Sequence, residues 1–119
     1  MTRPEPIEQG TAFDLSAIEA EMRQEDAYRS EGHTARTLVR EQDLRIVLIA
    51  MKAGARIAEH RASDTVSIHA LSGHVRLRLP DKVADLPAGR LLALGRGLRH
   101  DVEAVEESAF LLTLGWQAK

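Results

Sequence analysis

The sequence contains no cysteine among its 119 residues. This absence excludes disulfide bonds, thiolate nucleophiles and zinc sites with sulfur ligands. Because disulfides are typical of secreted proteins, a chain without cysteine favours the cytoplasm. We therefore expect a cytoplasmic protein, and a chain of this length can bury a hydrophobic core without covalent cross-links.

Aromatic residues and an excess of one charge are also scarce. Phe, Trp and Tyr make up 3% of the sequence, and 16 basic residues are interspersed with 18 acidic ones, giving a net charge of −2. Proteins that bind nucleic acid need a basic patch for the phosphates, and many add aromatic platforms on which bases stack. The sequence provides neither feature, which predicts that the protein does not bind nucleic acid.

Long hydrophobic runs are missing as well. The longest fully apolar run, residues 46–51, is far shorter than the roughly 20 residues that a membrane-spanning helix requires. Residues 1–10 carry Pro4 and Pro6 among charged residues and lack the apolar centre of a secretory signal. We expect no membrane partner, and the length of the chain predicts one domain.

A short helix is predicted near the N-terminus. Ser16 and Glu19 have the spacing of a capping box, in which each side chain satisfies a free backbone amide at the start of a helix. This spacing predicts a helix over residues 16–27, with a narrow apolar stripe that includes Ile18 and Met22.

The remainder of the chain, residues 32–119, alternates short extended stretches with polar or glycine-containing turns, whereas residues 1–31 read as a lead-in followed by the helix. Several short strands without a βαβ pattern predict an all-β sandwich or barrel. Stretches rich in aliphatic and β-branched residues occur at 34–39, 44–51, 56–60, 65–71, 75–79 and 109–116.

Two of these predicted strands, residues 44–51 and 109–116, are apolar on both faces. One face of each packs inside the barrel, and the other needs a cover. The N-terminal helix is one candidate, but a second copy of the chain is the better one, because small monomers rarely expose large apolar patches. The pattern therefore predicts a homodimer.

Residues 89–100 predict a strand, a tight loop and the start of another strand. Gly95 and Gly97 interrupt an apolar run, and glycine tolerates the positive φ that such an abrupt loop needs. His100 follows directly, at the beginning of the extended stretch 101–105. The loop would hold this histidine in a fixed place, which makes it a candidate site residue.

Two spaced patterns include the candidate site residues. The first is a glycine, five residues, His-x-His, three or four residues, a glutamate, six residues and a glycine. Gly54, His60 and Gly73 match it, whereas the second histidine falls on Ala62 and the glutamate on Val66.

The second pattern is a glycine, five residues, a proline, one residue, a glycine, two residues, a histidine, three residues and an asparagine. Gly89, Gly97 and His100 match it in register, while Gly95 replaces the proline and Ala104 the asparagine. With both patterns in one small all-β chain, the sequence resembles a single-domain bacterial cupin, and the resemblance extends from about residue 34 to residue 116.

The resemblance implies a double-stranded β-helix, which is a jelly-roll barrel, in which three histidines and the glutamate hold one divalent ion such as Zn, Fe, Mn or Ni. Only His60 and His100 could bind a metal among those four positions. Such sites normally need at least three protein ligands, and Val66 makes that wall of the pocket apolar. We therefore expect no cofactor, with a divalent metal possible if water, a ligand or Glu59 completes its coordination.

Three functions remain open from the sequence. The first is a metal-free barrel that binds a small molecule, with a pocket formed by His60, Ala62, Val66 and His100. Its two neutral imidazoles suit an anionic or hydroxylated ligand, or proton transfer. The alternative is a metal-dependent cupin enzyme, an oxygenase or isomerase acting on a small organic acid. The third is an interaction or structural dimer whose core is filled by side chains and which binds no ligand.

Overall fold

The computed structural model describes Pro4 and residues 6–61 and 64–115, with residues 59–61 described by their backbone. Within these residues, no helix is long and apolar enough to cross a membrane. The helices are α1 (Leu15–Met22) and α2 (Asp26–Glu31). The strands are β1 (His33–Arg40), β2 (Leu44–Met51), β3 (Arg56–Arg61), β4 (Thr65–Ser72), β5 (His74–Arg78), β6 (Val83–Pro87), β7 (Leu91–Leu94), β8 (Arg99–Ala104) and β9 (Ser108–Gly115).

The strands form two antiparallel sheets around one hydrophobic core. One sheet has the order β1-β2-β9-β4-β7 and the other has the order β3-β8-β5-β6. Strands that are distant in sequence are neighbours in the sheets. For example, β2 pairs with β9 along its whole length. Side chains from both sheets meet in one buried cluster. The predicted all-β jelly-roll barrel is confirmed, while the division into residues 1–31 and 32–119 stays a prediction.

The N-terminal helix is shorter than predicted and begins with a different cap. The Asp14 carboxylate accepts a hydrogen bond from the Ala17 amide at 3.1 Å, so α1 begins before Ser16. The predicted single helix is also wrong, because α1 ends at Met22 and α2 begins after a turn. Residues six apart in one continuous helix point about 120° apart. The break allows Met22 and Tyr28 to be buried in the same cluster.

The helices cover the second face of β2. Val47, Ile49 and Met51 belong to the barrel core, whereas Leu48 and Ala50 pack in a separate cluster with residues of α1, α2 and β1. Both Leu48 and Ala50 are 0% exposed within the single chain. The expectation that a second copy covers this strand is therefore wrong for β2, and the homodimer itself stays a prediction.

The two ends of the barrel differ in burial. We call the end at which β4 turns into β5 the Gly73 end, and the end at which β7 continues into β8 through residues 95–98 the His100 end. Toward the Gly73 end, Met51, Ala70 and Val75 are completely buried. Toward the His100 end, several core-facing leucines stay partly exposed, namely Leu79, Leu98, Leu112 and Leu114.

The Gly73 end is closed by a close backbone approach. Gly73 has a φ of 72°, and a Cβ atom there would collide with the Glu107 carbonyl oxygen and with Ser108. Ser108 is 0% exposed, and its hydroxyl accepts a hydrogen bond from the His74 amide at 2.9 Å and lies 2.7 Å from the Glu106 carbonyl oxygen. The serine thus joins the beginning of β9 to the beginning of β5, which lie in different sheets.

Candidate functional site

The backbones of His60 and His100 lie directly opposite each other. They are cross-strand partners in the antiparallel pair of β3 and β8, after an irregularity in the register between Ile57 and His60. Residues opposite each other in such a pair have Cα atoms about 4.5–5.5 Å apart. Two residues 40 positions apart in sequence therefore share one rung, and their role as ligands stays a prediction.

The loop before β8 fixes the imidazole of His100. The side chain is buried at 2% exposure, and its Nδ1 lies 3.1 Å from the Leu98 carbonyl oxygen, within hydrogen-bond distance. Gly97 has a φ of 72°, as predicted for this loop. The same expectation is wrong for Gly95, whose φ is not positive. One left-handed residue is sufficient because the turn lies at residues 96–97.

The interior wall near His100 is apolar. Val66 is 3% exposed and lies between Leu114 and Leu94, which are its cross-strand partners on either side. Its side chain faces the core, where the family resemblance implies the metal-binding glutamate. Ala62, the other departure from the first pattern, lies outside the described residues. The described wall provides hydrocarbon contacts and no carboxylate.

Arg45 is a polar residue of this interior face that was not predicted from the sequence. It alternates in phase with Val47, Ile49 and Met51, which face the core, and its cross-strand partner is Leu114. Its Nε atom is buried and has no hydrogen-bond partner among the residues that the structure describes. The alternation of β2 was the signal for this placement, because side chains two residues apart point to the same face.

The carboxylate next to His100 in sequence points to the opposite face of the sheet. Asp101 lies 3.4 Å from Arg56 and 3.7 Å from Arg78, on the solvent side of β8. Arg78 is also paired with Glu103 at 2.9 Å. These ion pairs hold the Asp101 carboxylate on the face of β8 opposite to His100.

The described residues do not fit a divalent ion. Among them, no group of three or more His, Asp or Glu side chains is placed to hold a metal. His100 contributes one buried imidazole, and Val66 contributes no donor atom. A site built from these residues alone falls short of the three protein ligands that zinc and iron normally require.

A separate surface cavity of about 470 Å³ lies between α1 and β4, outside the barrel, and is lined by Leu15, Ser16, Glu19, Leu71 and Ser72. Its carboxylate is already engaged, since Glu19 accepts hydrogen bonds from Arg23 at 2.7 Å and from Ser72 at 3.0 Å. The hydrogen bond from Ser72 of β4 attaches α1 to the barrel, so the acidic group in the cavity has a structural explanation.

No protein-family model matches the chain, and no curated protein matches it. Solved structures do resemble it. A conserved protein of unknown function from Streptococcus pyogenes is 22% identical over 100% of this chain and 98% of its own, with a TM-score of 0.73. A cupin superfamily protein from Desulfitobacterium hafniense is 18% identical over 98% of this chain and 100% of its own, with a TM-score of 0.74.

A third similar structure is an RmlC-like cupin from Shewanella frigidimarina, which is 16% identical over 72% of this chain and 78% of its own, with a TM-score of 0.67. Similarity at this level of identity establishes the fold and leaves the activity open, because one fold carries many functions. The two sheets, their strand order and these neighbours agree with the spaced glycines and histidines of the sequence. The chain therefore has the double-stranded β-helix fold of the cupins.

Proposed function

We propose that the protein is a cupin-type barrel that binds a small molecule without a bound metal, in a pocket at the His100 end edged by His60 and His100. The observation that carries this proposal is the buried, core-facing position of Val66. An isopropyl group cannot coordinate a cation, and it disfavours a dication nearby. It instead provides the apolar contact that most small-molecule pockets use.

The partly exposed leucines at the His100 end support an open pocket there. Leu98, Leu112 and Leu114 pack against the core and remain accessible to solvent. A barrel filled completely by its side chains would bury such residues as fully as Met51 and Val75 are buried at the Gly73 end. The imidazole of His100, oriented by the contact with Leu98, would position a polar group of the ligand.

Elemental analysis of protein purified without added metal or chelator tests this function. We expect far less than one divalent ion per chain. A stoichiometric, tightly held ion would contradict the proposal and favour the alternative, a metal-dependent oxygenase or isomerase. That alternative has weaker support, because the described residues offer one imidazole and no carboxylate in the pocket wall.

A pair of double variants sharpens the metal test. Ala62→His with Val66→Glu restores the four donor positions that the family resemblance implies, so Zn²⁺ or Mn²⁺ should raise the melting temperature of this variant. Binding at 100 times the Kd contributes about 2.7 kcal/mol. The control, Ala62→His with Thr65→Glu, adds the same groups but places the carboxylate on an exposed residue. A metal-dependent rise in the melting temperature of wild type as large as that of the restored variant would contradict a metal-free function.

We also infer that the protein is cytoplasmic, in line with its cysteine-free composition, and that two copies associate. The part of the five-stranded sheet beyond the helices supports the association. Leu111, His69 and Leu91 form one cross-strand row on its outer face, and Leu91 is 62% exposed. Sedimentation over a concentration series should show a dimer that Leu91→Lys dissociates. Val83→Lys, at a 55% exposed position on β6, is the control that should remain dimeric.

A further inference from the structure

Arg45 brings a positive charge to the interior face at the His100 end. A cross-strand row on that face contains Arg45, Leu114, Val66 and Leu94, on four neighbouring strands. β7 ends at Leu94, and residues 95–98 lead directly to β8 and His100. Arg45 and His100 therefore belong to the same end of the barrel, and the row that starts at Arg45 continues with leucine and valine residues.

This charge has no counterion within the described part of the chain. Arg45 forms no ion pair there, and its Nε is buried without a hydrogen-bond partner. The polar or charged residues that are buried in the described region are Thr34, His100 and Ser108, so no buried carboxylate is available to it. Its cross-strand neighbour on β1 is Arg40, a second cation. A partly buried, uncompensated charge is unfavourable for folding, which calls for a functional explanation.

We propose that Arg45 binds the carboxylate of a small organic acid inside the barrel, with the hydrocarbon part of the acid packed against Leu94, Leu112 and Leu114. The inference rests on the proposed small-molecule function and assigns the class of ligand. The planar guanidinium matches a carboxylate with two parallel hydrogen bonds. A phosphate dianion would require more donors than one guanidinium and one imidazole supply, and it would gain nothing from the apolar wall.

The test uses chelator-treated full-length protein and three probes: butyrate, its neutral analogue butyramide, and inorganic phosphate. Backbone amide shifts are followed by NMR in wild type, in Arg45→Gln and in the control Arg40→Gln, which removes the exposed neighbouring charge. We expect wild type to bind butyrate at least about tenfold more tightly than butyramide or phosphate. Arg45→Gln should abolish this preference, and Arg40→Gln should retain it.

Each other outcome has a distinct meaning. Equal affinity for butyrate and butyramide, or a preference that survives Arg45→Gln, would overturn the carboxylate assignment and leave a small-molecule pocket. Tighter binding of phosphate would also overturn it, as would equal losses in the two arginine variants, which would indicate a general effect of charge. If no amide at the His100 end responds to any probe, the proposed function fails together with the inference.

A second measurement does not depend on ligand binding. Without ligand, Arg45→Met replaces an uncompensated cation by an apolar side chain of similar length, and the melting temperature should rise by about 3–5 °C. Arg40→Met, at an exposed position, should leave it unchanged. A melting temperature of Arg45→Met below that of Arg40→Met would show that Arg45 is a structural residue and would overturn the proposal.

Discussion

The Gly73 end and the His100 end of the same barrel differ in how completely their side chains are buried and hydrogen-bonded. At the Gly73 end the backbone passes so closely that residue 73 must be glycine, and the Ser108 hydroxyl joins the two sheets. At the His100 end the core-facing leucines stay partly exposed and Arg45 has no partner in the described residues. The contacts at the Gly73 end stabilise the folded chain, whereas the polar groups at the His100 end contribute little to its stability.

The helices are attached at the Gly73 end too. The Tyr28 hydroxyl donates a hydrogen bond to Glu107 at 2.9 Å and accepts one from Arg23 at 2.5 Å. Burial and the carboxylate of Glu107 raise the pKa of Tyr28, against the opposing effect of Arg23, so the phenol keeps its proton and remains a donor at neutral pH. The fold therefore concentrates these structural contacts away from the proposed pocket.

The largest expected effect is at Gly73. Gly73→Ala should lower the free energy of unfolding by roughly 2–5 kcal/mol, because it adds backbone strain at positive φ to a collision with the backbone of residues 107 and 108. Gly54→Ala is the matched control: its φ is 83° but nothing lies within 4 Å, so strain alone should cost about 1–2 kcal/mol. Urea denaturation measures both, and equal losses would show that the close approach is unimportant.

A smaller loss is expected at Ser108. Ser108→Ala leaves the His74 amide at this buried junction without its acceptor, which should cost about 1–3 kcal/mol. The control is Ser30→Ala, because the Ser30 hydroxyl bonds the Asp26 carbonyl at an exposed site and its loss should change stability by less than about 0.5 kcal/mol. Both changes are read from urea unfolding curves. Similar values for the two variants would indicate that the sheets do not depend on this hydroxyl.

The smallest effect depends on pH. A hydrogen bond donated by Thr34 at 2.6 Å lowers the pKa of the Glu25 carboxyl, burial opposes this shift, and Arg36 reinforces it. A lowered pKa in the folded state means stability that is fully present above the unfolded value of about 4.3 and is lost as the pH falls through the lower folded value. Thr34→Val should therefore cost about 1 kcal/mol at pH 7 and less below pH 4.

Chemical unfolding at pH 7 and at pH 3 measures the difference in the cost of Thr34→Val. Thr37→Val on the same strand is the control, since no side-chain hydrogen bond to a carboxylate is found for Thr37 in the described residues. A cost of Thr34→Val that is the same at pH 7 and pH 3 would remove Glu25 from the explanation. All three predictions concern the Gly73 end, and binding of butyrate at the His100 end should survive each variant that still folds.

The strand pattern was predictable because alternation is a local property. Residues 44–51 form β2 with the predicted bounds, and Val47, Ile49 and Met51 face the core together. The cover of the opposite face was not predictable, because it depends on where α1 and α2 are placed. The break between the helices was also missed, since residues 16–27 contain neither proline nor glycine, and the burial of Tyr28 decides it.

For the site, the spacing of glycines and histidines predicted the candidate residues His60 and His100, and the pairing of β3 with β8 places their backbones on one rung. Arg45 follows the alternation of β2 and was still overlooked, because a charged residue at the end of a strand is usually assumed to face solvent.

The strands, the tight turn at Gly97 and the lack of metal-binding side chains at residues 62 and 66 follow from the sequence alone, because each depends on the chemistry of neighbouring residues. Long-range packing specified which face of β2 the helices cover, which end of the barrel is closed, and that Arg45 lies in a wall with no partner among the described residues. These features depend on contacts between residues far apart in the chain, and a local sequence pattern does not indicate which distant side chain packs against a given residue.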